Sequence, residues 1–160
     1  MAVVAKRPRR LGILLAFRNG TQIGSRIGMV AARRFEELLV WQRMHELSTE
    51  VWRATNTSPV VSDTRFRDQI RNASDSAASN VAEGFGRFSP PQFAHFLDIA
   101  RASAQETRSL LRKGLAVGYW VLEDYERLDA LAIRGIQAAA RLQRYLRSPQ
   151  AKRYAARRGR

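Results

Sequence analysis

QIRNASDSAASNVAEGFGR, residues 69–87, has the period of a helix and an unusual filling. Gln69, Ala73, Ser76, Asn80 and Glu83 follow one another at steps of four, three, four and three, which puts them on one face. That face is small and polar where a bundle helix usually carries Leu or Ile. Phe66, Ile70, Ala77 and Val81 are its apolar companions and extend the helix back to about Ser62. Gly84 is the expected C-cap, because glycine takes the left-handed conformation cheaply. A helix with so small a seam admits close neighbours, so large side chains are expected opposite it.

The flanking segments supply them. Val40, Met44, Leu47 and Val51 give a first helix over about 34–55, with Trp41, His45, Ser48 and Trp52 as a second stripe. Asn56 to Pro59 break it. Ser89-Pro90-Pro91-Gln92 opens a third helix: Ser89 as the cap, Pro90 at the first position, Gln92 completing a capping box. It carries Phe93, Phe96, Leu97, Ala100, Ala104, Leu110, Leu111 and Leu115 and stops near Gly118. Glu123 and Asp124 suit the positive start of a fourth helix, whose stripe runs through Leu128, Ala132, Ile136 and Ala139 to Ser148-Pro149. No segment reads as a strand. Four helices of similar length with short connections predict an all-α, antiparallel up-down-up-down four-helix bundle over 34–148.

The ends differ from this body. The formal net charge is +14, and it is unevenly placed. Residues 1–34 hold eight Lys or Arg and residues 144–160 hold seven, neither with an acid, so the body between is almost neutral. The expectation is a bundle with two basic, disordered tails, 1–33 and 149–160. For the first, three readings compete. LGILLAF is short for a secretory signal core. The Arg-rich, acid-free composition fits a transit peptide. The favoured reading is that Met29 is the native start, because the helical pattern begins soon after it. The intact mass of the product from its native host separates them. Cysteine is absent, which excludes disulfides and thiolate metal sites. No apolar run reaches the 18 or so residues of a membrane span.

Three groups of residues resemble the 23S rRNA intervening sequence protein family over about 35–146. They are Phe35, Leu38 and Val40-Trp41; then Gln69, Arg71, Ala73, Ser76, Asn80-Val81-Ala82-Glu83-Gly84 and Arg87; then Phe96-Leu97, Ile99-Ala100-Arg101, Ser103 and Glu106. The resemblance implies a small helical bundle without catalytic residues. The chain is also similar to the accessory variability determinant of diversity-generating retroelements, a basic pentamer that works with a reverse transcriptase and its RNA. That likeness implies a homo-oligomer, with a pentamer as one form, and a protein partner such as a reverse transcriptase. Two positions depart from the family pattern. Ala77-Ala78 stands where Ile-Pro is common, which should straighten the second helix. Asp75 stands where an apolar residue is usual, which puts a family-type contact there in doubt.

Gln69, Ser76, Asn80, Glu83, Ser103 and Glu106, with Arg87 at the end, admit two readings. They form either a polar pocket between the second and third helices or a buried network that fixes register; the network is favoured. A di-metal bundle needs Glu-x-x-His pairs, and His45 and His95 both lack a Glu three residues before them. GFGRF at 84–88 lacks the Lys-Ser ending of a phosphate loop. No cofactor, metal or enzymatic function is expected. Arg101, Arg108 and Arg112 step by seven and four and, with Lys113, either make a ridge for phosphates or pair with acids of the fourth helix. Together with Arg87 and, towards the C-terminus, Arg144, Arg147, Lys152 and Arg153, they are the candidate nucleic-acid contacts. The expected function is a cytoplasmic, oligomeric, non-enzymatic accessory factor that binds RNA through its phosphates. The alternative is a protein–protein adaptor whose charge is incidental.

Overall fold

Val40, Met44, Leu47 and Val51 form the buried face of the first helix, α1 (Leu39–Ala54). The computed structural model of the protein describes residues 13–16, 29–57, 59–87, 89–149 and 151. Most of the expected tails, including Lys152 and Arg153, lie outside these. α1 begins five residues later than its periodicity predicts. A 3-10 turn, Phe35–Glu37, comes first, and Leu38 then holds an extended backbone while its side chain is fully buried. Seating Leu38 in the core interrupts the helix there.

The second helix, α2, is Thr64–Gly86. Its cap is Asp63, whose carboxylate accepts from the Phe66 backbone N–H at 3.0 Å. The third, α3, is Pro90–Ala116, and the fourth, α4, is Leu122–Leu146. Pro90 takes the first position of α3, but the Ser89 side chain makes no capping bond. The proline therefore does the starting, and the expected capping box does not form. α3 ends at Ala116, close to the predicted Gly118, whose φ of +80° suits a residue without Cβ.

Each helix packs on the next, and α4 returns to α1, closing an all-α antiparallel four-helix bundle. Leu47, Ile70, Leu97, Leu111 and Leu128 are fully buried at its centre. Gly84 corrects one expectation. It is a buried interior residue of α2, not a cap; the helix runs on to Gly86. A Cβ at Gly84 would lie 2.6 Å from both the Phe93 ring and the Phe96 Cβ. The large-on-small packing expected between α2 and α3 is therefore present at this point. On the far side, the Met44 thioether of α1 fills the place a Cβ would take at Gly135 of α4.

The turns α1–α2 and α3–α4 meet at one end of the bundle. The Tyr119 hydroxyl donates to the second oxygen of Asp63 at 2.6 Å, which holds that carboxyl below its ordinary range, with help from the Phe66 N–H. Phe66 lies edge-on to Tyr119, and Trp120 donates to the Leu111 carbonyl.

The strandless expectation fails outside the bundle. Ile13–Ala16 (β1) and Met29–Ala32 (β2) pair antiparallel, Ile13 opposite Ala32 and Ala16 opposite Met29. Each is a run of four apolar residues, too short to show a period. Pairing satisfies backbone groups that neither run could satisfy alone. Ala32 is buried with the bundle core.

The Gly84 contact generates a paired prediction. Gly84→Ala should lower stability by about 1–2 kcal/mol, because overpacking costs more than the roughly 1 kcal/mol of helix propensity that alanine returns. Gly86 meets nothing within 4 Å of an added Cβ, so Gly86→Ala should be neutral or mildly stabilising. Urea unfolding of both variants checks this; equal effects would contradict it.

Candidate nucleic-acid interface

The polar seam of α2 is half-buried at its centre and exposed at its ends. Ser76 and Ser103 share a hydrogen bond of 3.0 Å across α2 and α3. Asn80 donates to the Ser76 carbonyl at 2.8 Å and to its hydroxyl at 3.0 Å. Thr107 donates to the Ser103 carbonyl one turn on. Gln69, Glu83 and Glu106 are exposed. Glu83 pairs with Arg87, whose guanidinium lies 5.1 Å from the centre of the Phe96 ring. The network is therefore smaller than the sequence implies: Ser76, Asn80 and Ser103 join into it, and the long residues of the same stripe reach solvent.

Asp75, the departure from the family pattern, is used within the chain. It accepts from Ser48 and from the Trp52 indole N–H, which is 3.0 Å from both carboxylate oxygens. Arg71 stacks on Trp52 at 4.2 Å and donates to Thr55 and Asn56 at 2.7 and 2.8 Å. These contacts bind α2 to the last turn of α1.

Of the two readings of the α3 basic residues, pairing with an acid of the fourth helix is seen at Arg108. Arg108 makes a two-pronged pair with Asp129 of α4, at 2.6 and 3.0 Å. That bond raises the Arg108 pKa further above its ordinary value. Arg112 and Lys113 are exposed, and Lys113 sits 5.9 Å from the Phe66 ring. Arg101 is held loosely, by Gln143 Oε1 at 3.2 Å and Asp98 at 3.6 Å. Its Nε is buried without a partner among the described residues. A buried unmet donor costs about 1–3 kcal/mol and calls for an explanation.

The stronger basic surface lies on α4. After Asp129 this helix has no acid, and Arg134, Arg141 and Arg144 follow at steps of seven and three. All three are exposed and have no acidic partner among the described residues. Arg144 and Arg147, which composition assigns to a tail, belong to the helix end: Arg144 is in its last turn and Arg147 caps it. Cations suit a helix C-terminus. Arg147 reaches back to Asp98 of α3 at 2.9 Å. Gln143 is buried and donates to the Ala94 carbonyl at 2.9 Å. A hydrogen bond from Gln143 and the charges of Arg147 and Arg101 hold the Asp98 carboxyl below its ordinary range.

Between these helices lies a cavity of about 540 Å³ lined by Arg101, Ala140, Gln143, Arg144, Arg147 and Ser148. Sequence reading placed three of these arginines among the nucleic-acid candidates and missed Gln143, Ser148, Arg134 and Arg141. Two signals were present: the acid-free second half of α4 and the seven-residue step between its arginines. Among the described residues no three His, Asp or Glu gather as metal ligands, and no helix is long and apolar enough to cross a membrane.

A double-mutant cycle on Arg108→Ala and Asp129→Ala should give a coupling of about 1 kcal/mol, since the pair is well formed but only partly buried. Additive effects would mean that Arg108 is free to contact a partner after all.

With this geometry in place, a family model described as 23S rRNA-intervening sequence protein matches residues 36–138. The match spans α1, α2, α3 and the first two-thirds of α4. No curated protein matches the chain.

Proposed function

The chain belongs to the 23S rRNA-intervening sequence protein family, and on that premise we propose that it is a non-enzymatic, cytoplasmic RNA-binding protein acting through phosphate contacts. The observation that carries this reading is the exposed row Arg134, Arg141 and Arg144 on α4, which has no acidic partner among the described residues. Elsewhere arginines such as Arg43, Arg108 and Arg127 are taken up by acids. Along this row the charge faces solvent, over roughly 15 Å at 1.5 Å per residue. A rigid row of cations neutralises a run of phosphates without reading bases, which gives affinity and register but little sequence preference.

Assembly into a homo-oligomer belongs to the same proposal, and a different end of the molecule favours it. Val61, Val117, Val121 and Leu122 are exposed at the end where Asp63 and Tyr119 meet. Apolar side chains gathered there suit contact with another copy or with a protein partner. The protein–protein adaptor is the second reading, and this patch is its support.

Salt dependence separates the two. If about four phosphates are neutralised, affinity for a structured RNA should fall on the order of 100-fold between roughly 50 and 200 mM salt. Replacing Lys152, Arg153, Arg157, Arg158 and Arg160 with Gln in the full chain should keep most of the binding, because the row on α4 remains. Fluorescence anisotropy reads both. Absence of binding at low salt would remove the RNA reading and leave the adaptor.

A further inference from the structure

We propose that the cleft between α3 and the end of α4 is a phosphate-oxyanion site that seats one phosphodiester of an RNA backbone. The choice of RNA rests on the functional reading above; the oxyanion site rests on the cleft itself.

Its lining has three guanidinium groups, one hydroxyl and one amide, and no carboxylate. The acid nearest to them, Asp98, lies outside the lining and is engaged by Arg147 at 2.9 Å and by Arg101 at 3.6 Å. Three positive groups against one acid leave an excess of two charges. The C-terminus of α4 opposes an anion here with roughly half a negative charge, which is too little to cancel that excess. Two of its terminal carbonyls are also occupied, Gln143 by the Arg147 N–H at 3.1 Å and Tyr145 by the Ser148 N–H at 2.9 Å.

Arg101 supplies the independent observation. Its contacts to Gln143 and Asp98 are long for an ionised donor, whose good bonds are about 2.7–2.9 Å. Its Nε is buried with no acceptor among the described residues. The terminal nitrogens of this guanidinium line the open cleft, and an oxyanion there gives them the short, charge-assisted partners that Gln143 and Asp98 do not. Arg144 has no acidic partner among the described residues and faces the same space. Donors on both walls of the cavity suit a tetrahedral phosphate, and the planar fork of Arg binds two of its oxygens at once. The row from Arg134 through Arg141 ends at this cleft, so a backbone tracking the row would place a phosphate in it. The α4 wall of the cleft lies beyond residue 138, outside the stretch that the family model matches.

The test uses the full chain with a fluorescein-labelled RNA hairpin and, separately, inorganic phosphate at about 10 mM, watched through the arginine Nε–H signals in NMR. Arg144→Gln should weaken RNA binding about five- to tenfold and reduce the salt slope by about one. Arg101→Lys keeps the charge but loses the fork, and should also weaken binding. Arg65→Gln, an exposed arginine at the start of α2, should change nothing. Circular dichroism confirms that each variant is folded. Phosphate should shift the Arg101 and Arg144 signals. Equal RNA affinity for wild type, R144Q and R101K, with no phosphate shift, overturns the cleft and leaves the RNA reading standing. Phosphate shifts without any RNA binding keep the oxyanion site and overturn the RNA reading. Silence in both experiments removes both.

Discussion

α2 can lie against α3 only because Gly84 has no side chain. Phe93 and Phe96 occupy the space a Cβ would need, and any larger residue there must displace them. Further along the same contact the separation is small enough for two serine hydroxyls to meet, Ser76 and Ser103. Close packing at the glycine and hydrogen bonding at the serines are thus one constraint at two heights. α3, held this way, presents Ala94, Asp98 and Arg101 to α4, and α4 answers with Gln143 and Arg147. The basic cleft is the last consequence of a packing choice made on the opposite side of α3.

The helices are legible in the sequence because each carries one uninterrupted apolar stripe. Their ends are less so, since they depend on tertiary contacts: Leu38 delays α1 by seating itself in the core, and Gly84 continues a helix that its residue type suggests should end. The strands Ile13–Ala16 and Met29–Ala32 are invisible to periodicity, being short and paired only with each other. The polar seam illustrates a further limit. Spacing puts Gln69, Ser76, Asn80 and Glu83 on one stripe, but only the neighbouring helix decides which of them are covered. Arg71 and Asp75 lie on the other flank of α2, where they hold α1 through Trp52.

Charge is where sequence and structure part most. Counting residues separates a neutral body from basic ends, whereas periodicity carries the fourth helix to Ser148-Pro149, and the structure puts Arg144 in its last turn and Arg147 at its cap. The same helix begins with Glu123, Asp124 and Glu126 and ends with arginines, so α4 is polarised along its length. The exposed valines lie at the end where α4 starts, and the cleft at the end where it stops. Arg108, for which the sequence leaves a ridge and a pairing both open, is paired with Asp129, whereas Arg134 and Arg141 have no acidic partner among the described residues. Pairing depends on what faces a residue across the bundle, and a single sequence does not show that.

The central claim is that RNA meets this protein along the second half of α4 and the adjoining face of α3. Hydrogen–deuterium exchange of the full chain with and without a structured RNA tests it most directly. Slowed exchange on RNA addition should concentrate in residues 94–105 and 134–147. Protection confined to α1 and α2, with these two stretches unchanged, would contradict it.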